Sequence, residues 1–175
     1  ADPEETLVAM STLRPAPGRL ENMRGPKDIS VIIDYAHTPD ALENVLKTLR
    51  EIAPDRELIC VFGCGGDRDR TKRPEMGRIA QKMADRIIVT SDNSRTEKTA
   101  DIMAEIKEGM DISGKAKSLF IEDREQAIRT AVMLAGQGAT ILLAGKGHET
   151  YQIIGTEKIH FDEKEIVAEA FRTIE

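Results

Sequence analysis

Leu58-Ile59-Cys60-Val61-Phe62, "LICVF", followed at once by Gly63-Cys64-Gly65-Gly66, decides the fold. Five apolar residues in a row show no alternation, and the run is too short for a buried helix, so it reads as a strand covered on both faces. Such a strand belongs inside a parallel sheet, where crossover helices pack on either side. Working outward, similar short apolar runs occur at Ile29 to Asp34, Arg86 to Thr90, Ser118 to Glu122 and Ala139 to Ala144.

Segments of helical period separate these runs. Thr38-Pro39-Asp40 opens one that carries Leu42, Val45, Leu46 and Leu49; Met76, Ile79, Ala80 and Met83 mark a second; Ile102, Met103, Ile106 and Met110 a third. Asp123 and Gln126 cap a fourth bearing Ile128, Ala131 and Val132. Near the end, Tyr151 to Ile154 and Glu157 to Phe161 flank Gly155-Thr156 as a hairpin, and Asp162 with Glu165 caps a last helix bearing Ile166, Val167, Ala170 and Phe171. The succession predicts an α/β three-layer sandwich, Rossmann-like and mostly parallel, with the hairpin as an antiparallel edge.

The leading segment differs. Asp2, Pro3 and Glu5 signal a short helix, and Pro15, Pro17, Gly18, Gly25 and Pro26 then break regular structure, as in a linker. A boundary is expected near residue 15, giving a tail of 1–14 and a domain of 15–175. The start on Ala suggests a piece of something longer.

At 175 residues, 40% hydrophobic and 32% charged, the chain suits one soluble domain, and with 3% aromatics its interior must be aliphatic. A net charge of −6 argues against general affinity for nucleic acid or anionic lipid. No run reaches membrane-spanning length. Cys60 and Cys64 are too few for a disulfide framework and lack further ligands at zinc spacing, so reduced cytosolic thiols and no bound metal are expected.

In open α/β sheets, ligands collect at the carboxyl ends of the strands. Four such ends are polar here: Asp34-Tyr35-Ala36-His37, Gly63-Cys64-Gly65-Gly66-Asp67-Arg68-Asp69-Arg70, Asp92-Asn93-Ser94-Arg95 and Gly145-Lys146-Gly147-His148-Glu149. The glycine loop is neither a P-loop nor a dinucleotide fingerprint, because it lacks the Gly-Lys-Ser/Thr ending and has Arg68 where the third glycine belongs. It is either a tight connection or, with Arg68, Arg70, Lys72 and Arg73, an anion site; a solvated helix start accounts equally well for the cations. Asp34 could accept from a ribose or merely bond loop amides, and His37 could meet an anion or fill the approach to Pro39. Lys146 and His148 suggest an anion site and Glu149 an ammonium partner, though a chance turn has the same spacing. Asn93 and Arg95 could form a plain turn with Thr96 capping the next helix. Alternatively, a carboxylate, an amide and a guanidinium together can bind both charged ends of an amino acid.

Taken in order, these four motifs, with Gly18-Arg19-Leu20-Glu21 ahead of them, resemble the C-terminal domain of Mur ligases of the MurE type, the UDP-N-acetylmuramoyl-tripeptide synthetases. The resemblance implies a domain of an ATP-dependent ligase that adds an amino acid to UDP-N-acetylmuramoyl-L-alanyl-D-glutamate in peptidoglycan synthesis. It implies ATP and Mg²⁺ as cofactors, with the phosphate loop in a preceding ATPase domain whose tail is residues 1–14. It assigns Arg19, Asp34 and His37 to the nucleotide, and Arg68, Asp92, Asn93, Arg95, Gly145 and Glu149 to the incoming amino acid. The family motif Asp-Asn-Pro-Arg accompanies meso-diaminopimelate; here Ser94 stands for the proline. Partners implied are meso-diaminopimelate, ATP and the UDP-N-acetylmuramoyl-dipeptide, in a cytoplasmic monomer without nucleic acid or membrane contact. Alternatives are a ligase adding L-lysine or another amino acid, a polyglutamate-adding relative, and a non-catalytic amino-acid or nucleotide-binding module.

Overall fold

The structure, a computed structural model, describes residues 18–175. The helix expected from Asp2 and the boundary near residue 15 lie outside the described residues.

Six strands form the main sheet: β1 (Glu21–Arg24), β2 (Ser30–Asp34), β3 (Leu58–Phe62), β4 (Arg86–Val89), β5 (Ser118–Phe120) and β6 (Thr140–Ala144), in the order β1-β2-β6-β3-β4-β5. All neighbours run parallel except β1, which pairs antiparallel with β2 from Glu21↔Ile33 to Arg24↔Ser30. The "LICVF" strand lies between β6 and β4 and is buried along its length. Alternate residues of the central strands face two separate cores. Ile32, Cys60, Phe62, Val89 and Leu142 pack beneath helices α1 (Pro39–Ile52), α2 (Lys72–Met83) and α3 (Thr99–Glu108). Ile33, Val61, Ile88, Ile141 and Leu143 pack beneath α5 (Arg124–Leu134) and α6 (Glu163–Arg172). Three layers result, as expected.

The caps follow local chemistry. Thr38 Oγ1 accepts from the Ala41 N–H and Asp123 from the Gln126 N–H, each satisfying an otherwise unpaired first-turn donor. Asp162 accepts from the Lys164 N–H, but Glu165 turns to His160 Nε2 at 2.8 Å instead of completing a capping box.

Three elements differ from expectation. The hairpin β7 (Tyr151–Ile154) and β8 (Glu157–His160) forms with the expected turn, yet it is a separate two-stranded sheet. The antiparallel edge of the main sheet is β1, from the segment read as linker. Three half-buried residues and an exposed Arg24 between glycines and prolines give too little periodicity to announce a strand, and β1 exists because β2 offers it an edge. A short helix, α4 (Ile112–Ala116), also went unforeseen; Asp111 caps it by accepting from the Gly114 N–H.

Candidate functional site

The loops after β2, β3, β4 and β6 converge at one end of the sheet and enclose a cavity of about 230 Å³. Arg68, Asp92, Asn93, Arg95, Gly145 and Glu149 all line it, together with Tyr35, His37, Gly65 and Lys72. The six residues assigned to an amino acid thus come together from three separate loops.

Of the cations that line the cavity, Arg95 makes the most side-chain hydrogen bonds. Its guanidinium donates to the Gly66 carbonyl at 3.0 Å and to the Asn93 carbonyl at 3.3 Å, which turns it into the cavity and leaves donors to spare. Its backbone adopts φ +52°, a left-handed conformation uncommon for a side-chain-bearing residue. The hairpin holds it there: the Arg95 N–H donates to the Ile153 carbonyl at 3.2 Å, and the Gly155 N–H to the Arg95 carbonyl at 2.7 Å. Gln152 adds bonds to Ser91 Oγ at 2.8 Å and the Asp92 carbonyl at 2.9 Å. A side chain on Gly66 would overlap the Ser94 carbonyl, so this glycine loop lies against the 91–95 loop.

The cationic cluster expected at 68–73 divides in two. Arg68 and Lys72 line the cavity, with Lys72 Nζ donating to the His37 carbonyl at 2.7 Å. Arg73 is fully buried and pairs with Glu97 at 2.8 Å and Glu105 at 2.9 Å, and Arg70 also meets Glu105. Glu97 also accepts from the Asp67 N–H at 2.7 Å, and Asp67 accepts from Thr96 Oγ1 at 2.7 Å. Arg73 first, then the Asp67 N–H, pulls the Glu97 carboxyl down to about 2. These pairs lock the glycine loop to the 91–97 loop. Thr96 is thereby engaged across the loops, and Lys98 rather than Thr96 precedes α3 as its cap position.

The anionic wall is Asp92 and Glu149. Asp92 Oδ1 accepts from the Asn93 N–H at 2.7 Å, and Glu149 Oε2 from Asn93 Nδ2 at 3.2 Å. Asn93 Oδ1 is itself taken by the Ile153 N–H at 2.9 Å and by Lys146 Nζ at 3.1 Å. Lys146 is therefore no open anion site: it is fully buried, with its ammonium engaged inside the protein. Gly145 has φ +117°, and a Cβ there would lie 2.9 Å from Asp92 Oδ2, so its lack of a side chain keeps that oxygen open.

A second cavity of about 400 Å³ adjoins the first and is lined by Arg19, Asp34, His37, Asn44 and Thr48 among others. The three residues assigned to a nucleotide meet here. Asp34 spends an oxygen on each of two loop amides, accepting from Leu20 at 2.9 Å and Ala36 at 2.8 Å, so its first role is to hold Arg19's segment to the end of β2. Tyr35 and His37 line both cavities. The Tyr35 ring stands 4.7 Å from His37 and 5.2 Å from His148, and burial, then the Glu149 charge, pushes its phenol up. Sequence reasoning missed Tyr35 as a wall residue and Arg124 beneath the site. Arg124 is fully buried and donates to the Ser91 and Ala144 carbonyls, both at 3.0 Å, and to Glu163 at 2.8 Å. Its partners lie up to 39 residues away, so no local pattern marks it. Among the described residues, no group of three or more His, Cys, Asp or Glu is placed to hold a metal ion.

Fold and site together define an α/β domain that presents a small, doubly charged cavity beside a larger one at the carboxyl ends of a parallel sheet. The chain belongs to the Mur ligase family: residues 18–147 match the family described as "Mur ligase, glutamate ligase domain". It is similar to the UDP-N-acetylmuramoyl-L-alanyl-D-glutamate--2,6-diaminopimelate ligase of Trichormus variabilis, with 58% identity over 85% of this chain and 30% of the relative. The enzyme of the same name from Synechocystis is 53% identical over 97% of this chain and 33% of the relative. A solved structure of a ligase of that name superposes with a TM-score of 0.84 at 44% identity, covering 93% of this chain and 33% of that one. The chain thus spans about a third of the length of these relatives.

Proposed function

We propose that this chain is the amino-acid-binding C-terminal domain, from about residue 15 onward, of a cytoplasmic, monomeric ATP-dependent ligase that adds meso-diaminopimelate to UDP-N-acetylmuramoyl-L-alanyl-D-glutamate in peptidoglycan synthesis, with residues 1–14 as the tail of a preceding ATPase domain. The Arg95 guanidinium, sharing one cavity with Asp92 and Glu149, carries the reading. A volume of about 230 Å³ falls below the roughly 300–1,000 Å³ of sites for drug-sized ligands, and so suits a small amino acid.

In this reading Arg95, with Arg68 beside it, receives the distal carboxylate of diaminopimelate, while Asp92 and Glu149 receive the distal ammonium. Asn93 orients both acids, and Gly145 leaves room at Asp92. Arg19 and His37 bind the nucleotide in the second cavity, and Asp34 fixes Arg19's segment. ATP supplies a phosphoryl group that makes the glutamate carboxylate an acyl phosphate, from which the amine of diaminopimelate displaces phosphate. This domain's task is to hold that amino acid with its reacting amine presented outward. The described residues offer Mg²⁺ no ligand cluster.

L-Lysine lacks the distal carboxylate and would leave Arg95 desolvated without an anion. A charge-assisted hydrogen bond contributes about 1.5–3 kcal/mol, so Arg95→Ala in the full-length ligase should raise KM for diaminopimelate on the order of 10- to 100-fold and leave ATP affinity unchanged. A panel of meso-diaminopimelate, L-lysine and L-ornithine with wild type and variant tests this. Equal losses toward ATP and the amino acid, or wild-type preference for lysine, would refute the assignment.

A further inference from the structure

The buried Lys146 has a function that its burial hides. Its Nζ lies 3.1 Å from Asn93 Oδ1, 3.3 Å from Glu149 Oε2 and 3.6 Å from Asp92 Oδ1, and the rings of Tyr151 and Phe161 close over it at 5.8 and 5.9 Å. All three oxygens belong to the cavity's anionic wall, and the ammonium meets that wall from behind. It takes one oxygen of each carboxylate, the same oxygen that Asn93 bonds. Among the described residues, no donor meets the other oxygens, Asp92 Oδ2 and Glu149 Oε1. Each acid thus has one oxygen tied to the protein and one left over, and both side chains line the cavity.

We infer that Lys146 is a positioning residue that builds the receptor for a substrate ammonium: it holds Asp92 and Glu149 together with their second oxygens free, and reduces their joint charge to that of one anion. Two carboxylates sharing a site repel one another strongly when no cation lies between them. With Lys146 in place they stay adjacent, and a single ammonium meets two acceptors and matches the remaining charge. Without it, Glu149, which sits on a partly exposed loop, turns toward water and the ammonium loses an acceptor.

The inference rests on the proposed amino-acid site, and a comparison of three ligands separates the two. 2-Aminopimelate keeps the distal carboxylate and lacks the distal ammonium, whereas L-lysine keeps the ammonium and lacks the carboxylate. Dissociation constants for these and meso-diaminopimelate are measured on the full-length ligase. Wild type should prefer diaminopimelate over 2-aminopimelate on the order of 10- to 100-fold. Lys146→Met should shrink that preference by about tenfold or more, while the preference for diaminopimelate over L-lysine, set by Arg95, and the affinity for ATP stay as in wild type. Lys146→Gln, which keeps hydrogen-bond donors without the charge, should do the same and serves where the methionine variant does not fold. Arg95→Ala should show the converse pattern. An unchanged or increased preference over 2-aminopimelate in either Lys146 variant, or parallel loss of both preferences, overturns the inference and leaves the amino-acid site standing. Absence of diaminopimelate binding in wild type removes the site and the inference with it.

Discussion

Replacing Arg124 with methionine should destabilise this domain strongly, although its side chain lines neither cavity. The guanidinium is fully buried and makes three bonds: 2.8 Å to Glu163, and 3.0 Å each to the Ser91 and Ala144 carbonyls. Methionine fills much of the volume but leaves the Glu163 carboxylate, itself 2% exposed, without a counter-charge. The second oxygen of Glu163 already has no hydrogen-bond partner, so nothing nearby can take over. Removing one partner of a buried pair costs about 3–5 kcal/mol, a large share of a domain's roughly 5–15 kcal/mol. At about 2–4 °C per kcal/mol for a chain of this size, Tm should fall by about 6–20 °C. Urea and thermal unfolding of the chain, followed by far-ultraviolet circular dichroism because the sequence has no Trp, read the free-energy loss and the Tm shift respectively. The double variant Arg124→Met/Glu163→Leu should recover most of the loss, because an apolar pair of similar volume needs no counter-charge. A loss below about 1 kcal/mol in the single variant, or a double variant no more stable than it, would show that the pair is not what joins α6 to the sheet.

Three further outcomes are expected. The Glu97 carboxyl, at about 2 in the folded protein against an ordinary 4.5, gives stability that is complete above pH about 4.5 and is lost as pH falls through about 2; Glu97→Gln should flatten that part of an acid-unfolding curve, and an unaltered curve would contradict the Arg73 pairing. Burial pushes Cys60 and Cys64 up to about 12, so neither should react with iodoacetamide at pH 8 until denaturant is added, and native-state labelling of either would disprove its placement. Gly145→Ala should cost roughly 1–3 kcal/mol for its strained backbone and abolish detectable amino-acid binding by crowding Asp92 Oδ2; retained binding in calorimetry would argue that the ammonium sits elsewhere.

Much of this was legible in the sequence because it is written locally. The continuous apolar runs of β2, β3 and β6 name a parallel sheet, and the polar residues that follow each strand name its ligand end. All six expected amino-acid residues converge, since placing the motifs on strand ends already fixes them in space. What escaped has no local signature. β1 takes its form from the neighbouring β2, and the hairpin's attachment to Arg95 depends on backbone bonds to Ile153 and Gly155 some sixty residues on. Arg73 reads in the sequence as either part of an anion site or a solvated helix start, and its buried pairing escapes both because its carboxylate partners lie 24 and 32 residues away. Lys146 reads in the sequence as a candidate anion site for the same reason: the oxygens around it come from two loops, one of them more than fifty positions earlier.

The hairpin's hold on residue 95 also bears on Ser94. A pyrrolidine ring would stiffen the chain from within, by restricting one torsion. Here the bend is braced from outside, as a bracket steadies a shelf, by an antiparallel ribbon that grips the amide and the carbonyl of the very next residue. The trait that the ring would confer is thus delegated to a remote piece of chain, and an engineer wishing to loosen or retune the guanidinium would do better to alter the ribbon's turn than the serine.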